Sequence, residues 1–533
     1  MTTAPSNPLQ PHERAEVTFV AAEAAARERL LRCLLRESGT VVTEPGPLRL
    51  PVPGRTLITQ VAAPSPSGHH RFTGPVCDER GSPVAHDDVV VAVLRAADAG
   101  GSDLAGVAGL AREVDDSAAR TARYLAGARG RWSGRPSELS VLRGHPFHPT
   151  PKSAVGFTDA DLAAYAPELA AKFRLEHVAV HPRLCAERRV APGDWGVAPA
   201  PEDGWPVLPM HPWQARWLAA DPHGAALLAE GRLRRLGPRD PVVTPTSSVR
   251  TVAAPGAPAV WKLPLSVRIT HFVRTNPAEH VRRALDASAL VARVEPARDL
   301  DGFEVLIETG FRGVDPAAAG VELADGLAVL FREPPPTDLA VVAGLLEEGP
   351  AGEEPALAGL LQAAGGGPAQ WLCRHLTVAT IPLLRVFDRH GIGFEAHVQN
   401  SLLATHDGWP VRFAVRDMEG THVTRDGTAA ALLEPDSPLL YERAEAWQRL
   451  RYHVITNHLA HLVATLGWLG PESEHELWAV VARELAATGT PSAMALTRDP
   501  TLPAKANLAS RLGGRGERPD YVQIPNPIQE AAR

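Results

Sequence analysis

Proline and glycine interrupt this chain at short intervals, with 50 and 45 of 533 residues. Each proline fixes φ and removes a backbone donor, and each glycine admits turns that other residues resist. The chain is therefore loop-rich, and its elements are sharply bounded. Helical spacing of apolar residues is clearest over 13–37, 103–125, 370–390, 440–466 and 472–488, with a further helix near 278–293. Ser38-Gly39 and Gly391 supply stop signals. Asp87-Asp88 read as an N-cap before 89–97, and Thr158 as the cap of a short helix. Strand-like runs occupy parts of 40–85, then 175–182, 205–210, 241–252, 258–271 and 303–309. A hairpin is predicted from 393–404, through a turn at 406–410, into 411–418. The Pro/Gly/Glu-rich stretch 333–367 reads as a mobile boundary, and the tail after Gly513 as loose. The pattern is that of an α+β protein.

Composition removes several function classes. Fifty-four basic against 61 acidic residues leave a net charge of −7, without the basic face that nucleic acid requires. No apolar run is long enough for a transmembrane helix, and the first residues lack the charge and apolar core of a secretory signal. A cytoplasmic location is expected. Cys33, Cys77, Cys185 and Cys373 are widely separated, so neither a disulfide framework nor a cysteine zinc site is expected. Motifs of the P-loop, the dinucleotide fold, the serine nucleophile elbow and the HExxH zinc site are all absent. Only four of the basic residues are lysines: Lys152, Lys172, Lys262 and Lys505. In a chain this rich in arginine, a retained lysine points to a need for a compact charge that a guanidinium cannot supply.

Six polar clusters stand out. His145, His148 and Lys152 share a prolyl loop, where the imidazoles could cap backbone groups or bind zinc. Met210-His211-Pro212-Trp213-Gln214 reads as a helix start. In 246–251, strand alternation would put Ser248 and Arg250 on one face and Ser247 and Thr251 on the other; hydroxyls beside a guanidinium suit phosphate oxygens. Lys262, Arg268, Thr270 and Arg274 are spaced evenly and would share one face of a continuous strand, with Pro264 adding a bulge. Three cations on one half-buried face need an anion such as a polyphosphate or polycarboxylate. Glu395, His397 and Gln399 would share a face across the hairpin from Asp417, and Glu395, Asn400 and Asp417 offer hard oxygen ligands for magnesium. Lys505 and Arg511 form the sixth cluster. His453, His458 and His461 lie on a long helix and read as core-edge or surface residues.

These clusters, in this order, resemble the NRPS-independent siderophore synthetases of the IucA/IucC (aerobactin synthase) family. The matching segments are GHPFHPTPK (144–152), MHPWQ (210–214), PTSSVRT (245–251), KLPLSVRIT with Arg274 (262–274), FEAHVQN (394–400), VRDMEG (415–420) and LPAKANLASRL (502–512). From about residue 370 the chain also looks FhuF-like. The first motif departs from the family in having Ala154, where arginine is frequent.

The resemblance implies a cupped hand: a thumb over 1–143, fingers over 144–368, and a palm over 369–533 whose β-sheet binds ATP without a P-loop. It implies magnesium and an acyl-adenylate, formed from a carboxylic acid, with citrate or a citrate derivative favoured. An amine or alcohol then attacks, and AMP and pyrophosphate are released. The residues it implies for ATP are Ser247, Ser248, Arg250, Thr251, Lys262, His397, Gln399, Asn400 and Asp417. Glu395, Asn400 and Asp417 would hold the metal. His145, Lys262, Arg274 and His397 would be catalytic, and His145, Arg274, Lys505 and Arg511 would meet the carboxylate. Neither membrane nor nucleic acid is implied as a partner; a homodimer is, by analogy. Two other readings stay open: a zinc hydrolase using His145, His148, His211 and Asp417, and a non-catalytic siderophore-binding protein.

Overall fold

The computed structural model describes residues 11–98, 104–200, 202–270, 272–294, 300, 302–515 and 519–533. His271, inside the fourth cluster, lies outside them.

The N-terminal part opens with the helix Pro11–Ser38, followed by an antiparallel sheet of Gly46–Val52, Arg55–Ala63 and Arg71–Cys77. Helices His86–Ala97 and Leu104–Ala128 complete it. One face of each element meets in a core that includes Leu30, Leu35, Leu57, Val93 and Val114. Leu508, from near the end of the chain, is buried in this same core. The helix at 86 is capped by Ala85 without a side-chain bond; Asp87 and Asp88 lie inside its first turn, where carboxylates favour the helix dipole. Thr158 and Asp161 do form a reciprocal capping box.

The middle of the chain builds an eight-stranded antiparallel sheet. Its order is Cys185–Arg189, Glu308–Val314, Val329–Arg332, Val260–Lys262, Thr251–Ala253, Leu233–Pro245, Phe173–Val180 and Val207–Met210. Trp261, Trp195 and Phe331 anchor its core, the last two stacked at 4.1 Å. The predicted strand 241–252 is interrupted: 246–250 is a tight turn in which Val249 takes φ +68°. The run 258–271 is also broken, at Pro264: Val260–Lys262 belongs to the large sheet, and Leu265–Ile269 joins a small one with Phe272–Arg274 and Ala154–Val155. Lys262, Arg268, Thr270 and Arg274 therefore do not share one strand face. Lys262 is buried, Arg268 is exposed, and Thr270 turns the hairpin at φ +60°.

In the C-terminal part the predicted helix 370–390 is two, Pro368–Val378 and Thr380–His390, parted at Ala379 (φ −116°, ψ −78°). Gly391 ends the second in the left-handed region, as its position predicts. The strand expected to start at 393 starts at Ser401; Ile392–Gly393 is a separate short strand paired with His422–Thr424, 394–397 is a loop and 398–400 a turn. Ser401–His406 pairs with Trp409–Arg416, flanked by Phe303–Leu306 and Ala340–Val341. The stretch 333–367 is packed: Val342, Leu345, Leu346 and Leu357 are buried in the large C-terminal core. The tail is also structured. Tyr521–Pro525 pairs with Thr501–Lys505, and Ile528 of the helix Pro527–Ala531 is fully buried. Among the described residues no helix is long and apolar enough to cross a membrane.

Candidate active site

The site is built where one end of the eight-stranded sheet meets the turns at 394–400 and 417–420. Lys262 Nζ donates to Asp417 Oδ1 at 2.6 Å and to Glu419 Oε2 at 2.9 Å. Only 2% of Lys262 is exposed. Arg332, also buried, lies 3.3 Å from Asp417 and bonds Glu308, which is fully buried, at 2.7 Å. His280 adds a 3.0 Å contact to Glu419. Burial pushes the Asp417 carboxyl up, but Lys262 and Arg332 outweigh it and hold the group down at about 2. Glu419 is held well below the usual range by Lys262 and His280, against the opposing effect of burial. Asp417 itself takes φ +74°, a conformation aspartate tolerates better than most residues.

Arg250 is a scaffold at its Nη1 end. Nη1 donates to the carbonyls of Arg274 (3.0 Å) and Thr275 (3.1 Å) and to Asn276 Oδ1 (2.5 Å). Asn276 bonds onward to the carbonyls of Lys262 and Ala328. Arg250 thus fixes the end of the strand that presents Arg274. Arg274 donates to Thr270 Oγ1 at 3.0 Å, and its guanidinium is drawn down to about 10 by burial and by Arg250. A half-buried arginine of this kind is a strong site for an anion. Val249, Thr270 and Asp417 are three of the five non-glycine residues with positive φ among those described. For the β-branched pair this is strained backbone of the kind that collects at functional sites.

A second network fixes the turns. Glu138 accepts from the Ser247 N–H (2.9 Å) and Oγ (2.8 Å) and pairs with Arg416. Gln399 Nε2 donates to the Ser247 carbonyl at 2.9 Å, and Arg416 Nη2 to the Gln399 carbonyl at 2.9 Å. The serine turn is thereby clamped to the 394–400 turn. Ser248 Oγ accepts the N–H of Thr251, which is buried. The Asn400 side chain donates to the Glu395 carbonyl at 3.2 Å, and His397 Nδ1 accepts the Gln399 N–H at 3.2 Å. A Cβ on Gly420 would stand 2.0 Å from Glu395 Oε2, so glycine is required for the 417–420 turn to approach Glu395.

Behind these turns the helix Arg443–Leu450 continues as a π-helical stretch, Arg451–Leu459. Such stretches recur at functional sites because they re-aim side chains. Here His453 Nε2 meets Glu395 Oε1 at 3.1 Å, its ring lies 5.9 Å from that of His397, and Tyr452 underlies Lys505 at 5.0 Å. His458 is held by the Ala396 carbonyl at 3.0 Å and by Ser401. His453 and His458 are thus buried members of the site, not surface residues. His145 Nδ1 accepts the Phe147 N–H at 3.0 Å; burial, then Arg36, drives its imidazole down to about 3. Burial likewise lowers His397, His453 and Lys505, whose neighbours are one another.

Some predicted residues are engaged elsewhere. Arg511 pairs with Glu113, which ties the C-terminal segment to the N-terminal helices. Lys152 pairs with buried Glu168 at 2.6 Å. His148 Nδ1 caps the Thr150 N–H, and His211 Nδ1 caps the Trp213 N–H inside a cage of Phe157, Tyr165 and Phe173. Among the described residues no group of three His, Cys, Asp or Glu is arranged to hold a metal ion, so the zinc set His145, His148, His211 and Asp417 is not assembled. Glu138, Glu308 and Arg332 had no signal in the sequence. Glu419 lies inside the VRDMEG motif, and its even spacing from Asp417 could have marked it.

Residues 135–347 match the model of the IucA / IucC family, and 369–520 that of the ferric iron reductase FhuF-like transporter. The chain is 34% identical to L-2,3-diaminopropanoate–citrate ligase of Staphylococcus aureus, over 78% of each chain. It is 32% identical to rhizobactin siderophore biosynthesis protein RhbC of Rhizobium meliloti, over 91% of this chain and 93% of that one. Its fold superposes on ATP-bound aerobactin synthetase IucA of Klebsiella pneumoniae with a TM-score of 0.86, at 22% identity, over 95% of this chain and 99% of that one.

Proposed function

Because this chain belongs to the IucA/IucC family, we propose that it is an ATP-dependent synthetase of siderophore biosynthesis, which adenylates citrate or a citrate derivative and joins it to an amine. The observation that carries this reading is the polar centre of buried Lys262 and half-buried Arg274, next to a clamped serine turn. Relatives named as citrate ligases support the acid and the amine. Residues 1–143, 144–368 and 369–533 would act as thumb, fingers and palm.

The chemistry balances as two steps. A carboxylate oxygen of the acid attacks the α-phosphorus of ATP, and pyrophosphate leaves. The amine then attacks the acyl carbon, loses a proton, and AMP leaves with the former carboxylate oxygen. Negative charge grows on the α-phosphoryl oxygens in the first step. Arg274, whose carbonyl is held by Arg250, would stabilise it, and Lys262 would neutralise neighbouring phosphates. Ser247, Ser248 and Thr251 would orient the phosphates from their turn, with His397 and Gln399 beside them.

Asp417 and Glu419 stand on one ammonium, and this donor set fits a magnesium ion that arrives on the nucleotide, which takes only one or two carboxylates. Magnesium would supply charge neutralisation of the phosphates. Glu395 and Asn400 would support that site through His453 and the turn backbone. The reading is tested by ATP–pyrophosphate exchange with a panel of acids. Citrate-dependent exchange that needs magnesium is expected. Exchange with no acid would favour a binding protein, and stoichiometric zinc in the purified protein a hydrolase.

A further inference from the structure

We propose that Arg36, His69 and His461 form the subsite for a carboxylate of the acid that does not react, so that the N-terminal part of the chain selects a polycarboxylic substrate. This rests on the synthetase reading above.

Arg36 is 7% exposed, and among the described residues no carboxylate lies within ion-pair distance of it. The adjacent acid, Glu37, is turned away: its carboxylate accepts the backbone N–H groups of Leu508 and Ala509, each at 2.8 Å. Arg36 Nη2 donates to the Ser67 carbonyl at 2.9 Å, its guanidinium lies 3.0 Å over the Phe147 ring, and Nε has no partner. His69 is 8% exposed, and its Nε2 has no partner either. Its ring stacks on His461 at 5.1 Å and meets Phe147 edge-on at 4.8 Å. His461 Nδ1 is a third buried polar atom without a partner. Three orphaned polar atoms on adjoining side chains are costly unless a ligand satisfies them.

The group adjoins the active site. Phe147, against which Arg36 and His69 pack, donates its N–H to His145 Nδ1 at 3.0 Å, and His461 follows three residues after His458, which is bonded to the Ala396 carbonyl. Arg36 and Lys505 are the cations there; Lys505 lies 5.0 Å from the Tyr452 ring, and Glu395 is already taken by His453. Such a group binds an anion. The nucleotide is assigned to Lys262 and Arg274, so the anion here is a second charge on the acid. The loop bearing His69 is stiff. Ser65 and Ser67 both donate to Glu474, at 3.0 and 2.9 Å, and Arg32 bonds the His70 carbonyl at 2.8 Å. Gly68, at φ +84°, has Arg36 and Phe147 atoms 3.6–3.7 Å from where a Cβ would stand. A preorganised set of polar groups that lack partners until a carboxylate is bound discriminates well between acids that carry the extra carboxylate and acids that lack it.

The test uses the full chain and exchange kinetics with citrate and with a citrate monoamide. Arg36→Met and His69→Gln should each raise KM for citrate on the order of 30-fold, as loss of charge-assisted hydrogen bonds does. KM for ATP should stay within about 3-fold, and the preference for citrate over its monoamide should collapse. Arg36→Lys should restore part of the preference. Thermal melting reports whether each variant is folded, and calorimetry of citrate binding to wild type and to Arg36→Lys gives a result independent of turnover. Wild-type exchange with citrate, together with unchanged citrate KM in folded variants, would overturn the subsite alone. Parallel rises in both KM values would make these residues structural. Absence of wild-type exchange with every polycarboxylic acid would overturn both this proposal and the synthetase reading.

Discussion

Lys262 and Asp417 are 155 residues apart in the chain, yet their charged groups meet at 2.6 Å, inside a centre where the lysine is almost wholly buried. The ammonium serves two carboxylates at once, and Arg332 adds a second cation. Removing the lysine would leave Asp417 and Glu419 undercompensated. Lys262→Met should therefore lower the unfolding free energy by about 3–5 kcal/mol, read from denaturant titration. Lys262→Arg keeps the charge but brings a wider planar group; it should lose on the order of 10²-fold in kcat/KM, about 2.7 kcal/mol. Folded Lys262→Arg with more than about a tenth of wild-type kcat/KM would remove Lys262 from the catalytic set.

Arg274 offers the converse exchange. Its guanidinium is desolvated and held at Thr270, on a strand end fixed by Arg250. Arg274→Lys loses the fork of donors and should also cost on the order of 10²-fold in kcat/KM, with little change in melting temperature. Steady-state kinetics on the folded variant decides it; near-normal turnover would contradict the role.

Asp417→Asn suits the left-handed backbone at this position and should fold. It should raise KM for magnesium-ATP and reduce kcat. The linkage follows from a depressed carboxyl. Asp417 titrates near 2 when folded, against 3.8 for the ordinary group. Its contribution to stability is full above the ordinary value and is lost as pH falls towards 2. The stability difference between wild type and Asp417→Asn should be flat from about pH 5 to 7 and shrink below about pH 4.

Glu37 has the opposite sign. Burial raises it from 4.5 to about 7 although two backbone N–H groups oppose the shift. The folded state then holds a proton that the unfolded chain has released, and stability falls as pH rises from 4.5 to about 7. Glu37→Gln should flatten that part of the stability profile. An unchanged slope in thermal melts between pH 5 and 8 would show that Glu37 does not titrate there.

Glu138 tests the clamp on the serine turn. Glu138→Gln leaves Arg416 buried without its carboxylate and should destabilise the protein by about 3 kcal/mol. It should also raise KM for ATP, by roughly 10-fold, because one amide oxygen cannot accept from Arg416 and from the Ser247 N–H and Oγ together, as the carboxylate does. A normal KM for ATP would make the clamp purely structural.

Regular elements were readable where the apolar period was long. The helices 13–37 and 278–293 appear as Pro11–Ser38 and Ala278–Arg293. Elements at the site were misread because local hydrogen bonds override strand alternation there. The Ser248 hydroxyl accepts the Thr251 N–H and Val249 takes positive φ, so a tight turn replaces the strand. The motifs did bring together Lys262, Arg274, Glu395, His397 and Asp417, because each lies in a polar stretch that no core explains. Glu138, Glu308 and Arg332 were invisible, and His453 was read as a core-edge or surface residue, because their partners lie tens to hundreds of residues away, and only the fold sets those distances. The resemblance implied Arg511 as a substrate ligand, and in the structure it pairs with Glu113, nearly four hundred residues earlier.

The proposed reaction is tested most directly by oxygen transfer. Citrate labelled with ¹⁸O in its carboxylates, incubated with the enzyme, magnesium-ATP and an acceptor amine, should deliver one label to the phosphate of AMP, seen by ³¹P NMR, with unlabelled pyrophosphate as the other product. Label in inorganic phosphate, with ADP formed in place of AMP, would mean that an acyl phosphate is made at the γ-position, and the adenylation assigned to Lys262 and Arg274 would be wrong.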